Sequence, residues 1–270
     1  MALTSIQASI LRLLAENRLR NPGSYVAGGL AMNYVLGAPR VLRDIDVFHD
    51  TVDALLSSWA SDRATLERNG YQVRVLRELP SFVEAAVGKD GTVTEIQWGT
   101  DSAYRFFPLA TDDVTGFTLH PVDLATNKLS ALVGRAEPRD WIDVIEAVKG
   151  VQPLAFLASA ACGKDPGFSP LSLLEYVARR RHNQAEIDVK ILPRGLYDAA
   201  ELCRFWHDEI DAARETVKLL PPEEVGKVVM TREGDLFRGT DDELRSALSA
   251  GEIVFHEGVI GGAWPTSVES

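Results

Sequence analysis

The spacing of hydrophobic residues changes along this chain, and the change predicts where strands give way to helices. Ile6, Ile10, Leu13 and Leu14 recur at helical spacing, which predicts an amphipathic first helix that packs on a core. Alternation and turn residues predict strands over residues 25–27, 41–48, 71–76, 81–87 and 92–98. Helices are predicted between the first three strands, over residues 28–37 and 51–69. This part of the chain is therefore predicted to form an α+β core.

Beyond residue 120 the hydrophobic period becomes helical. Helices are predicted over residues 121–134, 138–150, 153–163, 170–181 and 196–219. Four of them open with a proline, a residue favoured at the first helical position. After Pro221-Pro222, a strand, a helix and a strand are predicted over residues 225–231, 241–250 and 252–256. We therefore expect a core over residues 1–120, a helical domain over 121–220 and a small mixed tail over 221–270.

Composition and charge narrow the classes of function. The 270 residues carry 28 Lys and Arg against 39 Asp and Glu, a formal net charge of −11, so any contact with nucleic acid must be local. Cys162 and Cys203 are the two cysteines and form no CxxC pair, which argues against a disulfide framework and a structural zinc site. No run of about 18 apolar residues occurs. We expect a soluble, cytoplasmic protein without a membrane span.

The most informative stretch for chemistry combines a glycine pair with a pair of aspartates. Residues two apart in a strand project from the same face, about 6.6 Å apart, so Asp44 and Asp46 share a face. Paired carboxylates suit divalent cations such as Mg²⁺. Gly28 and Gly29 begin a helix directly after a strand, where backbone N–H groups and the helix dipole favour phosphate. The aspartates alone would better fit a solvated edge strand, and the glycine pair at a helix start just upstream reverses that preference in favour of a metal and phosphate site.

Two ordered segments of the chain resemble a known family. GGLAMNYVLGAPRVLRDIDVF and HPVDLATNKLSALVGRAEPRDWIDVIE resemble the paired motifs of the AbiEii/AbiGii toxins of type IV toxin–antitoxin systems, a branch of the DNA polymerase β-like nucleotidyltransferases. The likeness covers about residues 24–148. Leu42 departs from it, because the family usually has Ser or Thr two residues before the first aspartate, whereas Arg40 is retained.

The resemblance implies a polymerase β-like core with a mixed sheet, which transfers NMP from an NTP to an acceptor with two Mg²⁺ ions. It implies that Asp44 and Asp46 are catalytic and hold the ions, while Gly28, Gly29 and Arg40 bind the nucleotide.

The resemblance also implies a third carboxylate on a neighbouring strand. Glu95 is the candidate for this metal ligand, with an exposed strand glutamate as the equal alternative, and Gln97, on the same face of the strand, could occupy the ligand position instead. An amide would make a poorer metal site than a carboxylate.

The second motif places charged residues on two predicted helices. Lys128 and Arg135 are seven residues apart, two helical turns, and so lie on one face. The resemblance implies that Lys128 contacts the triphosphate together with Arg135 and that the helical domain completes the active-site cleft. It further implies that Asp140 positions Lys128 or the substrate, and that Asp143 supports these residues without touching the substrate. Asp123 is expected to favour the start of its helix through the helix dipole.

The acceptor is less well defined than the chemistry. The resemblance implies RNA, with tRNA as the target in some relatives, and a cognate antitoxin as protein partner. Arg179, Arg180 and Arg181, followed by His182, form the one dense basic run, which fits either an RNA-phosphate patch or a solvated helix end. Two alternatives stay open: a small-molecule acceptor such as an aminoglycoside, and a catalytically weak nucleotide-binding regulator.

Overall fold

The computed structural model describes residues 3–20, 22–42 and 44–265, and the chain divides into two compact units. The first unit contains the residues up to 103 and residues 109–120, and the second contains residues 104–108 and those from 121 onward. The tail from residue 221 onward is grouped with the helices in the second unit. Arg43 of the predicted strand 41–48 and residues 266–270 of the tail lie outside the described residues.

Helices and strands follow one another in mixed order up to residue 120 and are mainly helical afterwards. The first elements are α1 (Ser5–Arg20), β1 (Tyr25–Ala27), α2 (Gly28–Leu36), β2 (Asp44–His49), α3 (Val52–Arg68), β3 (Gln72–Leu79), β4 (Phe82–Lys89), β5 (Thr92–Thr100), β6 (Tyr104–Arg105), β7 (Ala110–Asp112) and β8 (Gly116–Thr118). The later elements are α4 (Pro121–Gly134), α5 (Pro138–Gly150), α6 (Leu154–Lys164), α7 (Pro170–Ala178), α8 (Gln184–Lys190), α9 (Ala199–Thr216), β9 (Val228–Thr231), α10 (Asp241–Ala250), β10 (Ile253–His256) and β11 (Val259–Ile260).

A seven-stranded sheet in the order β3-β4-β5-β2-β1-β8-β7 forms the first unit. β2 runs parallel to β5 and β1 runs parallel to β8, whereas the other neighbours are antiparallel. The predicted mixed sheet is thus confirmed. β7 and β8 escape sequence analysis because each is three residues long, too short to show an alternation.

Helices α1 and α3 cover one face of this sheet. Trp59 of α3 packs on Trp98 of β5 with ring centroids 4.7 Å apart, and Trp98 Nε1 donates a hydrogen bond of 3.0 Å to Asp62 of α3. In β2, Ile45 and Val47 are buried on this same side, because Val47 pairs with Trp98 in the parallel register. The alternate residues of β2 therefore lie on the opposite face of the sheet.

The second unit joins the helices to the C-terminal tail through a shared apolar core. Phe156 of α6 packs with Leu220 and with Val229, Phe237 and Leu244 of the tail. The Gln152 amide adds hydrogen bonds of 2.8 and 2.9 Å to the carbonyls of Val229 and Phe237. These contacts explain why the tail is part of this unit.

Two predicted helices differ from the structure by three residues at one or both ends, and both differences fall beyond residue 170. The helix predicted over 170–181 ends at Ala178, and the helix predicted over 196–219 is α9, Ala199–Thr216. The seven-residue α8 is too short to show a helical period. Within the described residues no single helix has the length and apolar composition of a membrane span, although α5 and α6 have them together as a pair bent by 117°.

Candidate active site

Five polar side chains share the face of the sheet that α1 and α3 leave uncovered, and we call them the acidic face. Asp44 and Asp46 are the half-buried alternate residues of β2, as the sequence predicts. The parallel register sets Asp44 beside Glu95 and Asp46 beside Gln97 of β5. The antiparallel register on the other side of β5 sets Glu84 of β4 beside Gln97. Asp46, Gln97 and Glu84 thus form one row across three strands.

Glu84 is a member of the acidic face that sequence analysis misses. Its Oε1 accepts a hydrogen bond of 3.1 Å from Gln97 Nε2. The amide nitrogen of Gln97 is therefore directed at a carboxylate, and this bond fixes which end of the amide faces β4. The alternation within residues 81–87 places Glu84 opposite the buried residues of β4, but only the strand register shows that it neighbours Gln97.

The acidic face supplies oxygen donors for a metal, although not as the predicted trio of carboxylates. Among the described residues, no group of three or more His, Cys, Asp or Glu side chains is arranged to hold a metal ion. Glu95 is exposed and is not assembled with Asp44 and Asp46 into such a group. Two carboxylates and the neighbouring Gln97 amide remain, a donor set of the hard-oxygen type that Mg²⁺ prefers.

Gly28 lies directly against Asp46 and has a conformation that favours glycine. Its φ is +67°, in the left-handed region, and a β-carbon built on it would lie 2.6 Å from the Asp46 Cγ. The contact follows from the antiparallel pairing of β1 with β2, which sets Ala27 beside Asp46. The N-terminus of α2 therefore begins beside the acidic face, and Gly29 is buried within its first turn.

Three other residues near the motif lie in the interior. Arg40, predicted to bind nucleotide, is 1% exposed. Leu42 is buried, and its carbonyl accepts a hydrogen bond of 2.8 Å from the Gln7 amide, so the departure from the family pattern supplies a core residue. His49 is fully buried with its Nδ1 3.0 Å from the Gly99 carbonyl, and burial lowers its pKa. His49 is accordingly a structural residue.

The second motif assembles within the second unit as four charged residues, which we call the Lys128 cluster. Lys128 Nζ lies 3.0 Å from Asp140 Oδ1 and 3.0 Å from Asp143 Oδ2. Arg135 donates to both oxygens of Asp140, with Nε at 2.6 Å and Nη2 at 3.2 Å. Lys128 and Arg135 both reach Asp140, although Arg135 lies one residue beyond the end of α4. The ion pair of Lys128 with Asp143 was not predicted.

Burial and ion pairing shift the pKa values of the Lys128 cluster in opposite directions. The side chains of Lys128, Asp140 and Asp143 are 12%, 2% and 1% exposed. Burial by itself would lower the pKa of Lys128, but Asp143 and Asp140 outweigh it and raise that pKa. Burial would raise the pKa of Asp140, but Lys128 and Arg135 outweigh it and lower that pKa. Lys128 and Asp140 therefore stay ionised at neutral pH.

Solved structures share this arrangement of helices and strands. MenT4, a nucleotidyltransferase toxin from Mycobacterium tuberculosis, matches with a TM-score of 0.56 and 13% identity over 81% of this chain and 85% of its own. The fold is that of the nucleotidyltransferases. A candidate nucleotidyltransferase from H. pylori has a TM-score of 0.51 and 14% identity, over 81% of this chain and 99% of its own. JHP933 from Helicobacter pylori has the same TM-score of 0.51 and the same 14% identity, over 80% of this chain and 95% of its own. No family model matches the sequence, and no curated protein matches it either.

The basic run that follows α7 is divided within this nucleotidyltransferase fold. The Arg180 guanidinium donates hydrogen bonds of 3.2 and 2.8 Å to the carbonyls of Leu132 and Val133, at the C-terminal end of α4. Such carbonyls lack partners within their own helix, so Arg180 acts as a cap. Arg179 and Arg181 are exposed, and both lie after the last residue of α7. Two of the three arginines are thus accessible to a partner.

Asp123 has a different environment from the one expected. The sequence suggests a role at the start of α4 through the helix dipole, but the carboxylate is fully buried and accepts hydrogen bonds of 3.0 and 3.1 Å from the amides of Phe106 and Phe107. Lys164 of α6 completes its environment with an ion pair of 2.9 Å. Asp123 therefore fastens residues 104–108 to the second unit of the nucleotidyltransferase fold.

Proposed function

We propose that this protein is a metal-dependent nucleotidyltransferase that transfers NMP from an NTP to an acceptor hydroxyl. The observation that carries the proposal is the contact of Asp46 with Gly28, at the start of α2 and on the face that Asp46 shares with Asp44. In the transfer, the acceptor oxygen bonds to the α-phosphorus, the α–β phosphoanhydride bond breaks and pyrophosphate leaves. The acceptor's proton is lost to solvent.

The acidic face has the donors that this chemistry requires. Asp44 and Asp46 would hold Mg²⁺, and Gln97 beside Asp46 would add an amide oxygen. When bound, magnesium supplies positive charge that neutralises the phosphates and positions the reacting groups. The first amides of α2, from Gly28 and Gly29, would bind phosphate oxygens through free N–H groups and the helix dipole.

The Lys128 cluster suits a positioning role in the same reaction. An ammonium group has three N–H donors, and the two ion pairs with Asp140 and Asp143 engage two of them. The third donor of Lys128 would bind a phosphate oxygen, and the two carboxylates would hold the ammonium group in position. Arg135, whose side chain is 63% exposed, would provide a second phosphate contact. Arg40 would support the nucleotide site from within the core.

RNA is the acceptor that we propose, with tRNA as the first molecule to test. MenT4 is a toxin, and its shared fold supports a toxin role with a cognate antitoxin as protein partner in the cytoplasm. The exposed Arg179 and Arg181 offer local positive charge for RNA phosphates in an otherwise acidic chain. The acidic composition also favours a second acceptor class, a cationic small molecule such as an aminoglycoside.

Incubation with each labelled NTP, Mg²⁺ and either total tRNA or aminoglycosides tests the proposal. Asp46→Asn should lower transfer at least about a hundredfold, as is common for groups that stabilise developing charge. Its free energy of unfolding should stay within about 0.5 kcal/mol of wild type, because Asp46 lies outside the core. Asp113→Asn, a matched change at an exposed turn between β7 and β8, should behave as wild type.

The products separate the alternatives. Label on RNA supports the proposed acceptor, and label on the aminoglycoside supports the small-molecule alternative. Nucleotide binding without transfer to either would favour the regulator and contradict an enzymatic function. Full activity in a folded Asp46→Asn protein would contradict the metal-centred site.

A further inference from the structure

The acidic face of the sheet continues onto β3, where it carries two arginines. Arg77 of β3 pairs with Glu84 of β4, and Arg74 of β3 pairs with Ala86 of β4. Side chains directly opposite each other in an antiparallel pair share a face, and Glu84 and Ala86 are two residues apart in β4. Both arginines are exposed, and β3 is an edge strand of the sheet. Positive charge therefore lies at the outer edge of the same face that carries the acidic residues.

A β-bulge in β3 is the reason that both arginines lie on one face. The register with β4 shifts between Val75 and Arg77, where β3 contains one extra residue, Leu76. Residues three apart in a regular strand, such as Arg74 and Arg77, would project from opposite faces. The extra residue reverses this, and bulges next to active sites commonly redirect a side chain in the same way. Two like charges are thereby brought to one exposed surface, where they favour an anionic partner.

Two phenylalanines lie on this face beside the acidic residues. Phe48 of β2 and Phe82 of β4 are partly exposed, and both pair with Gly99 of β5. A β-carbon built on Gly99 would lie 3.4 Å from the Phe48 ring and 3.8 Å from the Phe82 ring, so the two rings flank a residue without a side chain. The Arg77 guanidinium lies over the Phe82 ring, with Cζ 5.6 Å from its centroid. Aromatic rings and arginine planes are the surfaces on which the bases of single-stranded RNA stack.

The order of the strands places these residues on one side of the proposed metal site. β2 lies between β1, which leads into α2, and β5. The proposed phosphate site at Gly28 is therefore on the β1 side of Asp46, whereas Phe82 and both arginines are on the β5 side. Arg77 is three strands from Asp46, about 14 Å at the usual strand spacing. Phosphoryl transfer needs the attacking and leaving oxygens roughly in line, so an acceptor should approach from the β5 side.

We propose that Arg74, Arg77, Phe48 and Phe82 form a platform for the acceptor, a single-stranded RNA end whose phosphates bind the arginines and whose bases stack on the rings. The inference rests on the proposed function, because it takes the acceptor to be RNA. A single strand fits the rings better than a duplex, whose bases are already stacked on one another. The acidic residues nearest the metal site would be neutralised by Mg²⁺.

Binding of a fluorescently labelled single-stranded RNA, measured by anisotropy without NTP, tests the platform independently of transfer. Arg74→Gln with Arg77→Gln should weaken binding about tenfold or more. It should also lower the slope of log affinity against log salt by about 1.4, or about 0.7 for each lost phosphate contact. Arg63→Gln with Arg68→Gln is the matched control, because it removes the same charge from exposed positions of α3, on the other face of the sheet. The control should bind RNA as wild type.

Substitution of Phe82 separates stacking from charge. Phe82→Leu should weaken RNA binding about fivefold, the usual loss of one stacked base, and should leave the salt slope unchanged because both arginines remain. Phe82→Tyr keeps the ring and should bind as wild type. Circular dichroism checks the fold of each variant, and the exposed arginine pair keeps the test decisive if Phe82→Leu does not fold.

Transfer of labelled NMP by the same variants distinguishes this inference from the proposed function. Weaker RNA binding and a smaller slope in the arginine variant support the platform whether or not the protein transfers nucleotide. Transfer to RNA with unchanged affinity and slope in the folded arginine variant would overturn the platform and leave nucleotidyl transfer intact. Absence of RNA binding by the wild type, or loss of NTP binding in place of RNA binding in the variants, would overturn it as well.

Discussion

The acidic face and the Lys128 cluster both concentrate charge, but they are built in opposite ways. On the acidic face, Asp44 and Asp46 carry charge of the same sign at half-buried alternate positions of one strand. In the Lys128 cluster, charges of opposite sign touch, and two carboxylates are almost fully buried. Like charges on an accessible face favour a cation from outside the protein, whereas a buried ion pair must find its partner within the chain.

This difference indicates which charged side chains can be neutralised without destabilising the fold. Neutralising Asp44 or Asp46 removes a repulsion and leaves the core intact. Removing Lys128 leaves Asp140 and Asp143 in the interior without their shared cation. Substitutions on the acidic face should therefore change activity without changing stability, whereas substitutions in the Lys128 cluster should change both.

The largest expected effect is that of Lys128→Ala on stability. Breaking a buried ion pair by removing one partner typically costs about 3–5 kcal/mol, because the other charge remains buried. The sequence alone suggests a cleft-facing lysine that contributes little to the core, and the contacts with Asp140 and Asp143 reverse that expectation. Urea unfolding monitored by circular dichroism measures the loss, and a change below about 1 kcal/mol would contradict the buried pair.

The control for this prediction neutralises the whole set. Lys128→Met combined with Asp140→Asn and Asp143→Asn should recover most of the stability while transfer stays low.

The pH dependence of stability gives a second check. The lowered pKa of Asp140 contributes stability above the ordinary aspartate value, and this is lost as the pH falls through the lowered pKa. The raised pKa of Lys128 contributes stability below the ordinary lysine value, and this is lost as the pH rises through the raised pKa. The triple variant should lack both dependences.

A smaller loss of stability is expected for Gly28→Ala, which acts on the acidic face through the backbone. The new β-carbon would collide with Asp46, and the left-handed φ adds strain of about 1–3 kcal/mol. Gly37→Ala is the matched control, since Gly37 has φ +66° but no atom within 4 Å of the added carbon. Both variants should lose stability, but Gly28→Ala should also lose transfer, measured with labelled NTP. Equal transfer in the two variants would contradict a role of the Gly28–Asp46 contact.

Much of the acidic face could be predicted from local sequence. Alternation shows that Asp44 and Asp46 share a face, and the glycine pair marks the start of α2. The order of the strands in the sheet cannot be predicted from local sequence. Glu84 becomes a neighbour of Gln97 only through a register that pairs β4 with β5, and residues 13 positions apart in the chain carry no local signal of that pairing. Glu95 fits the third position by alternation alone, which cannot show whether side chains converge.

The Lys128 cluster shows the same limit on helices. Helical spacing predicts that Lys128 and Arg135, the residue directly after α4, lie on one face. It does not show how α4 packs against α5, and that packing brings Asp143 to Lys128 and buries both aspartates. Arg180 is a further case, because its bonds to α4 depend on where α7 ends. Short-range periods are readable in sequence, whereas the partners of buried charges depend on tertiary packing.

The smallest expected effect separates the accessible arginines from the capping one. Arg180→Ala should cost about 1 kcal/mol of stability, since it leaves the final carbonyls of α4 without their donor, and it should leave the salt dependence of RNA binding unchanged. Arg179→Ala with Arg181→Ala should leave stability unchanged and lower the slope of log affinity against log salt by about 0.7 for each lost phosphate contact. A triple variant would mix these two effects, so the separate variants are compared across a salt series with tRNA. An unchanged slope in the double variant would place RNA binding elsewhere on the chain, because exposed arginines that contact phosphate must release counterions when they bind.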